Sequence, residues 1–168
     1  MQFLAGFPGV RIAQIVGIGA SGYLSGFISA ASILGVPPLL LAAPDVATKQ
    51  WAKLYHTGAA IAPTTAGVAF LAYLYLGYHS GHYVSPSEGY AYLAAGTLTL
   101  AIAPYTLLTM MTTNNELKAL AEGKEEKVVE EARVKALLQK WWSLNLVRAL
   151  GPATGFVLGL FALGGYFA

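Results

Sequence analysis

Four long apolar stretches alternate with polar ones along the chain, over residues 12–35, 54–78, 90–113 and 143–167. Each is long enough for a helix to cross a bilayer core, which takes about 20 apolar residues. Between the third and fourth the pattern changes: from Leu117 to Lys140, Glu and Lys interleave with Val128, Val129, Ala132, Ala136 and Leu137. Glu131 and Lys135 are spaced to pair along a helix. The pattern predicts an all-α protein, an integral membrane four-helix bundle with a soluble charged helical segment between the third and fourth spans. Residues 1–168 then form a single domain.

Punctuation sharpens the boundaries. Pro37-Pro38 is expected to end the first helix, because proline has no N–H to continue the ladder. Leu39 to Lys53 reads as a connection with Trp51 as an interfacial anchor. The second span opens on Tyr55-His56-Thr57, contains Pro63 and ends in Tyr73, Tyr75 and Tyr78. His79 to Gly89 reads as a short polar turn. Gly22 and Gly26 stand at the four-residue spacing that lets helices approach closely. The opening MQFLAGFPGV has no basic region before its apolar run and is read as a signal anchor rather than a cleaved peptide.

Composition narrows the class further. The chain is 56% hydrophobic and 11% charged, against about a quarter charged in a soluble domain. A net charge of +2 gives no reason to expect nucleic acid. With no cysteine, disulfides, thiolate nucleophiles and iron–sulfur clusters are excluded. Gly-rich phosphate loops and Ser-His-Asp sets are missing, and so are the intramembrane acids of proton-coupled transporters. His79 and His82 are three apart, but lack the third ligand of a metal site.

The first and third connections carry Lys49, Lys53, Lys118, Lys124, Lys127, Arg133, Lys135 and Lys140, against Arg11 on the other side. Positive charge stays in the cytosol. Those connections are therefore expected there, with both termini lumenal in the endoplasmic reticulum or another endomembrane. This topology brings polar residues of three spans to similar depth: His56 on the second, Thr113-Asn114-Asn115 on the third, and Trp142, Asn145 and Arg148 on the fourth. Arg148 and Asn145 share a helical face with Trp141 and Pro152. An arginine this far into a membrane segment is costly unless it faces protein, water or a ligand. The cluster is either a staple between helices or a ligand site.

Several motifs here resemble the anthrone oxygenase family of fungal polyketide pathways. They are Pro104-Tyr105-Thr106 through Met111, then Thr113-Asn114 and Leu117, and the run Trp142-Ser143-Leu144-Asn145-Leu146-Val147-Arg148. Trp51, Tyr55 and Gly58 fit the family's second span, and the likeness extends to Gly159 but is weak over the first span. Thr112 stands where members often carry proline. The resemblance implies a membrane monooxygenase that converts an anthrone to an anthraquinone with O2 as co-substrate and no metal, flavin or haem. On that reading His56 is the base, and Arg148 with Asn145 holds the oxyanion. Tyr105, Thr106 and Asn114 bind phenolic hydroxyls, while Met110 and Trp142 face the rings. The implied partners are a polycyclic phenolic substrate and membrane lipid, with a homo-oligomer possible through the Gly-rich first span. The competing reading is a non-catalytic four-span binding or scaffold protein using the same cluster as helix glue.

Overall fold

The computed structural model describes residues 8–124 and 130–168. Val128, Val129 and Lys127 of the expected charged segment, and most of the expected signal anchor, lie outside the described residues. Among the described residues all regular structure is helical. Four helices are long and apolar enough to cross a membrane: α1 (Pro8–Leu39), α2 (Pro44–Tyr83), α3 (Pro86–Ala121) and α4 (Glu131–Leu163). The expected all-α, four-span architecture is borne out.

The helices overrun the expected boundaries, for identifiable reasons. Pro37 and Pro38 do not stop α1, which runs on to Leu39 through a π-helical turn at Ala31–Gly35. That wider turn, five residues per hydrogen bond rather than four, absorbs the interruption at the two prolines. Most of the expected first connection is the start of α2: Pro44 opens it with Asp45 in the first turn, where fixed φ and negative charge both favour helix. The polar turn also shrinks, since α2 continues to Tyr83 and α3 begins at Pro86. Ser85 caps α3 by accepting a hydrogen bond from the Glu88 amide at 3.1 Å, with proline next in line. α3 has its own π turn, Thr106–Met110, two residues beyond Pro104. The charged segment is not a separate element: its described residues end α3 and begin α4. Leu117, Val134 and Leu138 there are core residues, not part of a solvated helix.

The chain divides into two compact units, and each of the four helices contributes a stretch to both. The first unit comprises Met1–Ser25, Pro63–Ile102 and Leu150–Ala168. Its core holds Val10, Ile18, Tyr73, Leu76, Tyr92 and Ala95. Tyr73 is fully buried, and its hydroxyl donates to the Gly155 carbonyl at 3.0 Å and shares a 2.9 Å hydrogen bond with Ser21. Helix α4 meets α3 closely here: a Cβ added at Gly151 would stand 2.6 Å from the Leu98 carbonyl oxygen, and one at Gly155 2.6 Å from that of Ala95. A Cβ at Gly22 would meet the Phe156 ring at 2.9 Å, whereas Gly26 faces open space. Of the expected α1 pair only Gly22 is closely packed, and the backbone-to-backbone approach to α3 is made by the glycines of α4.

The second unit comprises Gly26–Ala62 and Ala103–Ala149. Trp51, Met110, Leu117, Leu138 and Trp141 form its core. Trp51, expected at the interface, is fully buried; it lies parallel to Tyr55 at 5.2 Å and edge-on to Trp141 at 5.9 Å. An indole so enclosed serves packing first.

Candidate active site

The polar cluster expected from sequence lies in the second unit. α4 runs through Trp141, Asn145 and Arg148 as one stripe, four and seven residues apart; Trp141 and Asn145 are buried and Arg148 half-buried. Asn145 is fully buried. Its Nδ2 donates to the Ile28 carbonyl and to Ser32 Oγ, both at 2.8 Å. Ser32 in turn donates to the Trp142 carbonyl at 3.2 Å. With both donors engaged, the Asn145 carbonyl oxygen is aimed at Arg148, whose Nη2 donates to it at 2.6 Å. Arg148 Nη1 donates to Thr106 Oγ1 at 3.1 Å.

Arg148 therefore does not snorkel outward. It is held inside the unit by two neutral acceptors, and among the described residues no carboxylate pairs with it. Its Nε is shut away from solvent and has no partner. Two hydrogen bonds from a charged donor contribute about 1.5–3 kcal/mol each. That is of the same order as the about 2.5–3.5 kcal/mol needed to place arginine in a membrane helix. Together the two bonds offset that cost, and three of the five guanidinium N–H groups, the buried Nε–H among them, make no described bond and suit an anionic oxygen.

A second polar group stands on α3. Asn114 is buried and its Oδ1 accepts the Trp141 indole N–H at 3.0 Å. Thr113 is fully buried beside it in sequence. Tyr105 and Thr106 are half-buried at the start of the π turn, and Thr109 Oγ1 donates to the Tyr105 carbonyl at 2.6 Å. The Tyr55 and Tyr105 phenols lie within electrostatic reach of the Arg148 guanidinium. Met110 is buried in the core with Trp51 and Trp141.

The structure thus brings together Asn145, Arg148 and Thr106 in one hydrogen-bond network, and places Tyr105, Met110 and Asn114 in the same unit. It does not draw in His56, which is exposed with its ring edge-on to Tyr55 at 5.7 Å. No described hydrogen bond joins His56 to Asn145 or Arg148. Trp142 is 37% exposed, and it is Trp141 that occupies the inward position. Sequence reasoning missed Ser32, the residue that orients Asn145, because a serine in a Gly/Ala/Ser-rich span carries no signal of its own. Trp51 and Tyr55, by contrast, stand out in the sequence as a match to the family's second span, and the structure stacks them one turn apart. His79 and His82 lie among Tyr75, Tyr78 and Tyr83 in the first unit, and no three metal-ligating side chains gather among the described residues.

The second unit thus holds an arginine bonded to neutral acceptors and accompanied by the aromatic side chains of Trp51, Tyr55, Tyr105 and Trp141. The family model for anthrone oxygenase matches residues 51–158, and the chain belongs to that family. An anthrone oxygenase of Claviceps purpurea is 36% identical over 161 residues, covering 93% of this chain and 90% of its own. One from Paecilomyces divaricatus is 34% identical, covering 88% and 92%. The noranthrone monooxygenase of Aspergillus flavus is 28% identical, covering 90% of this chain and 73% of its own. No solved structure matches the chain.

Proposed function

We propose that this protein is a membrane monooxygenase that converts the CH2 of an anthrone to the ketone of an anthraquinone with O2, and that it needs no metal, flavin or haem. The observation that carries the reading is Arg148, a guanidinium with no carboxylate partner among the described residues, fixed by Asn145 and Thr106 and with its buried Nε–H unpaired.

The chemistry asks little of the protein beyond electrostatics. Loss of one CH2 proton turns the anthrone into an aromatic alkoxide, a phenolate in all but name. Arg148 stabilises the negative charge on that oxygen, with the Asn145 carbonyl holding the guanidinium in place. The electron-rich anion transfers one electron to O2; superoxide and the carbon radical combine into a hydroperoxide at the former CH2. Loss of the remaining C–H proton with cleavage of O–O gives the ketone and water. One oxygen atom ends in the quinone and one in water, and the four electrons removed from carbon are the four O2 accepts, so no outside reductant is needed.

The acidity of the substrate can supply the proton without His56, whose exposed ring stands outside the Arg148 network. Tyr105, Thr106 and Asn114 are assigned to the substrate's oxygens and Met110 to its rings. Trp141 takes over the ring-facing role that the resemblance implied for Trp142.

The test is conversion of a hydroxyanthrone by protein in nanodiscs, followed as quinone absorbance above the spontaneous rate. Acceleration by wild-type protein and its loss in Arg148→Ala are expected. Equal rates with and without the protein identify a non-catalytic binder instead.

A further inference from the structure

Three polar side-chain atoms in the second unit are buried without a partner and belong to none of the contacts described above: Trp51 Nε1, Asn114 Nδ2 and Thr113 Oγ1. All three residues are at most 1% exposed. Buried donors are almost always paired in native proteins, and each unpaired one costs about 1–3 kcal/mol. Two of them belong to residues that touch one tryptophan, Trp141, and the third lies one residue along the same helix. Trp51 packs edge-on against Trp141, Trp141 bonds Asn114, and Thr113 adjoins Asn114 in the chain.

The orientation of the Asn114 amide is fixed by chemistry. Indole N–H is a donor only, so the atom facing Trp141 must be the carbonyl oxygen, and the NH2 points elsewhere. Trp51 likewise offers only a donor. The atoms left over are therefore an indole N–H, an amide NH2 and a hydroxyl, set among aromatic rings with no charge among them. What such a group satisfies is the oxygen of a neutral hydroxyl, such as a phenol, rather than a cation; a carboxylate would lose its hydration here with no positive charge beside it.

We propose that Trp51, Thr113 and Asn114 form a second oxygen-binding subsite, separate from the Arg148 network, which reads a ring oxygen of the substrate and selects hydroxylated polycyclic molecules over bare ones. This rests on the oxygenase reading and deepens it: Arg148 serves the oxygen that gains charge, and the Trp51 group serves an oxygen that stays neutral. Such donors bind ground and transition states alike, so the subsite governs affinity and substrate choice rather than the chemical step.

The experiment measures binding, so it does not depend on turnover. A peri-dihydroxyanthraquinone and unsubstituted anthraquinone are each titrated into wild-type protein, Trp51→Phe, Asn114→Leu and Thr113→Val in nanodiscs, following the quinone's own absorbance. Wild-type protein is expected to favour the hydroxylated probe by about tenfold, the weight of one or two neutral hydrogen bonds. That preference should fall to near unity in Trp51→Phe and Asn114→Leu, and drop partly in Thr113→Val. A preference absent in wild-type protein, or unchanged in all three variants, overturns the subsite. Thr113→Val keeps the side chain's shape and removes only the hydroxyl, so it remains informative if the larger changes unfold the protein. A merely structural orphan would make that variant more heat-stable with binding unaltered. If the wild-type protein binds selectively yet never accelerates anthrone oxidation, the oxygenase reading fails and the subsite stands as one of a binder. If it oxidises without selecting, only the subsite fails.

Discussion

The guanidinium of Arg148 makes the sharpest demands at the scale of single residues. Removing an oxyanion partner from a dry site typically lowers kcat by about 100-fold to 1,000-fold. Arg148→Ala should fall in that range in the quinone assay, with Arg148→Lys in between, because a lysine supplies charge but not the fork that spans Asn145 and Thr106. Ser32 acts one step back. It engages the Asn145 amide and so keeps the carbonyl oxygen towards the arginine. Ser32→Ala should lower kcat about tenfold with KM little changed, on the scale of one lost hydrogen bond; Ser32→Thr, which restores a hydroxyl, should recover part of the rate. A purely structural role would instead lower the yield of folded protein and leave kcat of the survivors intact. For His56→Ala the expected result is a rate within about threefold of wild type, since each 1.4 kcal/mol is worth tenfold and no described bond links that ring to the network.

The helices carry their function in their irregularities. Both π turns sit where polar side chains of the network arise: Ser32 lies within Ala31–Gly35 and Thr106 within Thr106–Met110. A π turn is an α-helix with one residue inserted, and it re-aims the side chains that follow. Leu108, 84% exposed, is the residue whose removal disturbs packing least. Its deletion should restore a regular α turn, leave the helical circular dichroism as it was and cut activity more than tenfold, by turning Thr106 relative to Met110. In the first unit the critical point is the close approach of α3 and α4. A side chain at Gly155 runs into the Ala95 carbonyl and Thr99. Gly155→Val should therefore lower the melting temperature in detergent far more than Gly26→Val, which meets open space.

Periodicity was a good guide to these elements, and it misled where proline was concerned. It found four spans because apolar length is set by the bilayer, which every sequence feels alike. It cut α1, α2 and α3 short because Pro37, Pro38 and the Lys- and Thr-rich flanks look like breaks, whereas a π turn and an N-terminal proline let the helices continue. The same periodicity places Trp141 on the face of Asn145 and Arg148, whereas the ring-facing role given to Trp142 comes from the family resemblance. The two tryptophans differ by about 100° around the helix, and only the seven-residue repeat with Arg148 separates them. The orphaned donors of Trp51, Thr113 and Asn114 could not be read from residue order at all, since pairing is a property of three-dimensional neighbours.

For the whole molecule, the lysines in the first turns of α2 (Lys49 and Lys53) and the lysines and arginine between Leu117 and Lys140 predict that this end of the helices faces the cytosol. Because the chain has no cysteine, one introduced residue is a clean probe. Lys124→Cys should react with a membrane-impermeant thiol reagent only after the plasma membrane is selectively opened. Ser87→Cys should stay protected until the endomembranes are dissolved, and the reverse order would invert the topology. The many outward apolar side chains, Ile15, Leu71 and Leu150 among them, then belong to lipid. An anthrone, itself greasy and sparingly soluble, would reach the site through that same lipid.

Among the described residues no carboxylate meets Arg148, so an anionic ligand is expected to stabilise the fold. Occupancy and lifetime thereby become linked. Producing cells that make no aromatic polyketide should turn the protein over faster than cells that do, and feeding an unreactive quinone should spare it. Arg148 would then double as a gauge of whether the pathway is running.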